Sequence, residues 1–360
     1  MDAWTPPFCP NPKCSFHCSP GGWAWIRMGF FSRKHCQPAI IQRYRCLHCR
    51  RTFSTQTFDT TYWLKRPDLL PLIFHRSLAC SGLRQIASEY GVSPNTIQGQ
   101  LSRLGRHCLL YQQRHQPEVE EPVVLDGFES FEYSQYFPFH FNVLVGKDSH
   151  FFYGFTDSPL RRKGSMTRTQ KKRRQALECE LGRPDPKALE NGVVDLLKML
   201  VPGKQELELY SDDHPAYPRA FKRLPGLSIR HDVTSSKERR TASNPLFPVN
   251  LLDLLFRHNG ANHKRETIAY SKRRQGAIER LAVFQVWRNW MRSYSVRKRG
   301  PTPAQALGLR RYRLSLRELL RTRLFVSRMR LPKVLESFYW RRVKTQAFRV
   351  NTGHTLNYAF

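Results

Sequence analysis

The stretch Val123-Val124-Leu125-Asp126-Gly127-Phe128-Glu129 places a carboxylate inside a short apolar run. Val123, Val124 and Leu125 predict a buried strand. A buried carboxylate must be paired, protonated or bound to a metal. Downstream, residues 137–146 and 150–156 read as two more strands, joined at the turn Gly146-Lys147-Asp148-Ser149. Residues 184–200 read as a helix, with Leu189, Val193, Leu196, Leu197 and Leu200 at helical spacing. A fourth strand at 206–210, a short helix at 215–221, a fifth strand at 227–233 and helices at 249–258 and 274–294 follow.

Three strands, helix, strand, helix, strand, helix is the element order of a ribonuclease-H-like fold. In that fold strands one and four are neighbours. Asp126 on the first and Asp212 just past the fourth, in Tyr210-Ser211-Asp212-Asp213-His214-Pro215-Ala216-Tyr217, would then face a shared site. Either aspartate alone would pass for a turn or cap residue. Carboxylate oxygens suit Mg²⁺ or Mn²⁺ rather than Zn²⁺. A pair of such ions about 3.5–4 Å apart would activate a hydroxyl nucleophile and stabilise the leaving oxygen of a phosphoryl transfer.

The chain is 360 residues long and 40% hydrophobic, so a real core is expected over two or three domains. Lys and Arg number 60 against 28 Asp and Glu, a formal net charge of +32. That excess predicts a polyanionic partner, because cation–phosphate contacts release counterions. No apolar stretch approaches the roughly 20 residues that span a bilayer. Met1 to Pro10 lacks the pattern of a secretory signal. A cytoplasmic, nucleoid-associated protein is expected.

Of nine cysteines, only Cys179 lies beyond Cys108. Cys9-Pro10-Asn11-Pro12-Lys13-Cys14 and Cys46-Leu47-His48-Cys49 form two knuckles able to close a tetrahedral Zn²⁺ site of four thiolates. Strands at 23–31 and 39–45 between them predict a zinc ribbon over 1–60. His17, Cys18, His35, Cys36 and His48 are bystanders, because the two knuckles complete the shell.

Residues 61–112 predict a helix-turn-helix. A helix at 68–81 precedes Leu83, Ile86 and Ala87 on a second helix. Gly91 suits a left-handed turn, Ser93 an N-cap and Pro94 the first helical position. Arg84 and the outward Asn95, Thr96, Gln98 and Gln100 could touch DNA, the amides reading base edges in a major groove. Residues 113–122 read as a linker.

These pieces resemble a bacterial insertion-sequence transposase of DDE type, in the group where a zinc ribbon and helix-turn-helix precede the catalytic domain. The matching residues are Arg43–Ser54, Leu125-Asp126-Gly127, Ser211–Tyr217 and 265–273, so the resemblance spans roughly 9–295. It implies a DNA transposase that cuts element ends and transfers the strand to target DNA as a homo-oligomer. It also selects Asp212 over Asp213, by its step before Ala216-Tyr217. The family's third motif carries Glu, then Asn three later, then Arg four later again; here those places hold Asn250, Asp253 and Arg257. Positions i and i+3 share a helix face, so amide and acid could have exchanged places and Asp253 would be the third acid. Glu266 is the alternative, with Glu279 and Glu238 behind it.

The basic tract at 161–174, with Arg161, Arg162, Lys171, Lys172 and Arg173, follows the third strand and suits phosphate contacts. A basic extension covers 296–360, with Leu314, Leu316, Leu319, Leu320 and Leu324 giving 310–330 a helical apolar face. Two rival functions remain: a non-catalytic DNA-binding regulator derived from a transposase, and an RNA-directed nuclease, against which the helix-turn-helix argues.

Overall fold

The computed structural model describes residues 4–34, 37–264, 267–295 and 300–355. At the start, strands β1 (Trp25–Ser32), β2 (Ile40–Cys46) and β3 (Thr52–Ser54) form an antiparallel sheet in that order. Trp25 lies opposite Cys46, and Tyr44 opposite Phe53. Phe8, Tyr44, Phe53 and Phe58 gather there as a core of their own around Cys9, Cys14 and Cys46. A unit this small buries only a modest share of its surface and is marginal alone. Here Phe325, from the far end of the chain, completes it.

Helices α1 (Leu69–Leu78), α2 (Leu83–Glu89) and α3 (Pro94–Arg114) follow. Gly91 adopts φ +60°, as its turn requires. The Ser93 hydroxyl accepts from the Asn95 N–H at 3.2 Å, with Pro94 in the first turn. α3 runs 21 residues and is buried from Gln100 to Gln112. It packs along α8 (Arg274–Val286), whose end widens into a π turn at Trp287–Met291. The polar residues of that buried stretch are bonded: Arg103 Nη1 donates to Thr60 O and Tyr62 O, and His107 Nε2 meets Leu319 O at 2.8 Å. Past α3, the Glu121 carboxylate accepts from the backbone of Asp148 and Ser149, tying the incoming chain to the first hairpin turn.

Five strands form the second sheet: β4 (Val123–Phe131), β5 (Pro138–Gly146), β6 (Phe152–Pro159), β7 (Glu206–Asp212) and β8 (Ser228–Thr234). Their order is β6-β5-β4-β7-β8. β4, β5 and β6 pair antiparallel; β4, β7 and β8 pair parallel. Among the described residues the fold is a mixed α and β arrangement with two sheets. Asp212 is the last residue of β7, since its strand runs two residues further than its apolar pattern suggests. Between β6 and β7 lie two helices where one was expected, α4 (Arg168–Leu181) and α5 (Ala188–Leu200). α4 buries no residue, which is why hydrophobic periodicity missed it; a reciprocal Thr167–Gln170 cap starts it. α6 (Ala216–Phe221) follows β7, and α7 (Phe247–Asn259) packs on β4 and β5.

The C-terminal segment, with α9 (Pro303–Ala306), α10 (Leu316–Arg321) and α11 (Lys333–Tyr339), folds back over α3 and α8. The single long helix face expected around 310–330 is cut short, because residues beyond Arg321 bond to the ribbon instead. Arg323 N–H donates to Phe58 O, Arg323 Nη1 to Thr57 O, and Ser327 Oγ meets His17 Nε2 at 2.8 Å. No helix among the described residues is long and apolar enough to cross a membrane.

Candidate active site and metal centre

The sulfurs of Cys9, Cys14, Cys46 and Cys49 all lie within 4.8 Å of one another, a group that could hold a metal ion. Cys9 and Cys49 stand 3.7 Å apart, Cys14 and Cys46 4.0 Å. Burial pushes the Cys9 and Cys14 thiols up. Burial pushes Cys46 up too, but hydrogen bonds from the Trp23 indole and the Cys49 and His48 backbone outweigh it, bringing it down to about 7. A cation among the sulfurs would favour the thiolate at all four. His17 is occupied elsewhere, meeting Cys9 O at 2.7 Å, and Cys18 is exposed. His48 Nδ1 lies 3.6 Å from Cys14 Sγ, outside the four-sulfur group. His35 and Cys36 lie outside the described residues.

The acids come from three elements. β4 and β7 run parallel, with Leu125 opposite Ser211 as their last pair. Asp126 and Asp212 are the next residue on each strand. Burial raises the Asp126 carboxyl to about 6; Asp212 adds to the rise, while the Gly127 N–H and Arg240 oppose it. Asp253 on α7 is raised well above the usual range, first by burial and then by Asp126. Its Oδ1 is buried without a hydrogen-bond partner. No salt bridge among the described residues uses any of the three. Their oxygens are not drawn within 4.8 Å of one another as the sulfurs are. Carboxylates with no ion pair, one with an orphaned oxygen, and opposed only at longer range by Arg240 and Arg257, form a donor set that fits a hard divalent cation. Glu266 lies outside the described residues. Glu279 is fully buried between α3 and α8, paired with Arg341 at 3.0 Å and bonded by Ser102. Glu238 is exposed on the loop after β8.

Two neighbours of the acids escaped the sequence reading. A Cβ on Gly127 would lie 1.5 Å from His140 Cε1, so the imidazole occupies the side-chain space beside Asp126. Burial, and then His214, lowers His140 to about 4, keeping it neutral near pH 7. Behind it Asn142 donates to Thr156 and Ser158 at 3.0 and 2.9 Å. The signal was two polar residues, His140 and Asn142, on alternate places of an apolar strand. The other neighbour is Tyr217, 2% exposed, whose phenol is raised well above its ordinary value by burial and then by Asp126, Asp212 and Asp253.

The expected DNA contacts divide. Arg84 is exposed on α2, Asn95 is exposed and Thr96 half-exposed at the start of α3. Gln100 does not face outward: it is 3% exposed and donates to Arg66 O, because α3 has already entered the body by that turn. Gln98 is half-buried and lies 3.4 Å from Glu279 Oε2. Arg161 is held by Glu178 at 2.8 Å. Arg162 packs over Tyr136, while Lys171, Lys172 and Arg173 stand exposed on α4. A cavity of about 360 Å³ is lined by Arg162, Lys163, Arg257 and Lys264, with Glu129 of β4. Arg257 is one helical turn beyond Asp253 and lies over the Phe128 ring at 4.5 Å.

No protein-family model matches the chain, and no curated protein matches it. Among solved structures it is similar to a chain of the simian T-cell lymphotropic virus intasome in complex with PP2A regulatory subunit B56 gamma. That similarity has 16% identity, 65% of this chain and 73% of that chain covered, and a TM-score of 0.23. A likeness that shallow carries no argument.

Proposed function

We propose that the chain is a DNA transposase whose ribonuclease-H-like domain cuts and joins DNA with Asp126, Asp212 and Asp253, and whose Cys9, Cys14, Cys46 and Cys49 hold one Zn²⁺. The observation that carries the reading is the adjacency of Asp126, midway along β4, and Asp212, the last residue of β7, on neighbouring parallel strands, with Asp253 in electrostatic contact. The β6-β5-β4-β7-β8 order agrees with a ribonuclease-H-like sheet. Bound Mg²⁺ or Mn²⁺ would supply the Lewis acid that such phosphoryl transfer uses. Asp126, Asp212 and Asp253 would hold it. The neutral His140 ring walls the site on the β5 side. Arg162, Lys163, Arg257 and Lys264 would draw phosphates toward it. Arg84, Asn95, Thr96 and Gln98 would grip the element's ends, with Lys171, Lys172 and Arg173 on more distant phosphates. Arg161 joins them only if DNA displaces Glu178.

The test is strand cleavage and transfer on the element's own terminal DNA with Mg²⁺. Asp126→Asn and Asp212→Asn should each lower cleavage at least roughly a hundred-fold, two or more factors of ten in barrier terms, with DNA binding retained. Asp253→Asn should be as inactive and Glu266→Gln merely impaired; the reverse would move the third acid to Glu266. Full transfer by Asp126→Asn would overturn the catalytic reading and leave a DNA-binding regulator.

A further inference from the structure

A groove of about 480 Å³ lies between the ribbon sheet and residues 62–65. Arg33, Lys34, Arg43 and Lys65 line it, and no carboxylate does. At its rim Trp63 is 71% exposed, a large ring left in water. Its backbone sits at φ +62°, a region that costs a bulky residue of L chirality energy and draws notice where it persists. The surroundings hold it there: Arg33 Nη2 donates to Leu64 O at 2.9 Å, and Arg103 Nη1 to Tyr62 O at 2.6 Å. The indole stacks on the Tyr62 ring, centroids 5.4 Å apart and planes 16° from parallel. Tyr62 is backed in turn by the Arg323 guanidinium at 5.3 Å.

The result is a braced aromatic pair beside four cations. Paired bases inside a duplex have no ring face to offer such a platform; an unpaired base has one, and its flanking phosphates match the cations. We propose that this groove takes an unpaired nucleotide of a DNA strand, its base stacked on Trp63 and its phosphates against Lys34, Arg43 and Lys65. The inference rests on the reading of the chain as DNA-binding but not on the three aspartates, none of which lines the groove.

The test uses the full zinc-loaded chain and one duplex, either blunt or with a short 3′ overhang carrying 2-aminopurine. The overhang duplex should bind about ten-fold tighter, the scale of one base–aromatic stack, with 2-aminopurine fluorescence quenched. Trp63→Gly should abolish both effects while keeping zinc content and raising the melting midpoint, because glycine accepts φ +62° without strain. Trp63→Phe should keep part of the preference. An equal preference in Trp63→Gly, or none in the wild type, would overturn the proposal while leaving duplex binding intact. Binding of neither duplex would remove the DNA-binding reading itself. A stronger preference for an RNA overhang would overturn the assignment to DNA.

Discussion

Gly105 on α3 approaches Glu279 on α8 so closely that an added Cβ would stand 2.7 Å from the Glu279 Cα. Beside that contact the buried Glu279 carboxylate accepts from Ser102 Oγ at 2.7 Å and pairs with Arg341 at 3.0 Å. Gly105→Ala must push the helices apart and should cost about 1–3 kcal/mol. Glu279→Gln leaves Arg341, and Arg106 behind it, without their counter-charge and should cost about 3 kcal/mol. Urea denaturation measures both. Midpoints unchanged from the wild type would show that this interface does not hold the helices together.

The four-sulfur group should bind one zinc per chain. Cys46→Ser or Cys49→Ser should release it and unfold residues around the ribbon, since metal binding there is folding free energy. Phe325 and Arg328 contact Phe8, so the C-terminal segment should loosen as well. Elemental analysis with limited proteolysis near residue 325 checks this; full zinc content in Cys46→Ser would sink the ligand assignment.

Asp126 should give metal-free protein a particular pH response. Its folded value, raised from 3.8 to about 6, means the fold prefers the protonated acid. The stability this contributes is complete below about pH 3.8 and is lost as pH rises through about 6. Asp126→Asn lacks that loss, so its stability relative to wild type should climb between those values and then level off. Divalent-ion binding, which needs the carboxylate, should strengthen over the same window. Thermal melts of both proteins from pH 3.5 to 7 test it, and a flat difference would be the contrary result.

Gly127 should tolerate no side chain while His140 is present. Gly127→Ala drives a Cβ into the imidazole, 1.5 Å from Cε1, and should cost about 1–3 kcal/mol through overpacking, with cleavage lost. Adding His140→Ala should recover most of the stability. A double-mutant cycle in denaturant measures the coupling, and additive costs would show that the two residues act separately.

Much of this fold is legible in the sequence. Gly91 and Ser93 mark the turn and cap of α3 because left-handed backbone and an orphan N–H each need a particular residue type. Val123 to Leu125 mark β4 because an unbroken apolar run has to be buried. The two cysteine knuckles announce their site through spacing. α4 was not legible, since a helix that buries nothing leaves no periodic trace. Nor was the inward turn of Gln100, whose amide meets the Arg66 carbonyl, 34 residues back along the chain.

The sequence alone determined the order of the strands, the placement of Asp126 within β4 and of Asp212 close to the end of β7, and the pairing of the knuckles, because local propensity and short-range spacing govern these. Only the tertiary structure decided that α3 runs on into the body, that Glu279 answers Arg341, that His140 covers Gly127, and that residues 323–328 close over the ribbon. Those outcomes are long-range contacts. A buried charge or a half-built core takes whatever partner the fold delivers, and no pattern in its own segment names that partner.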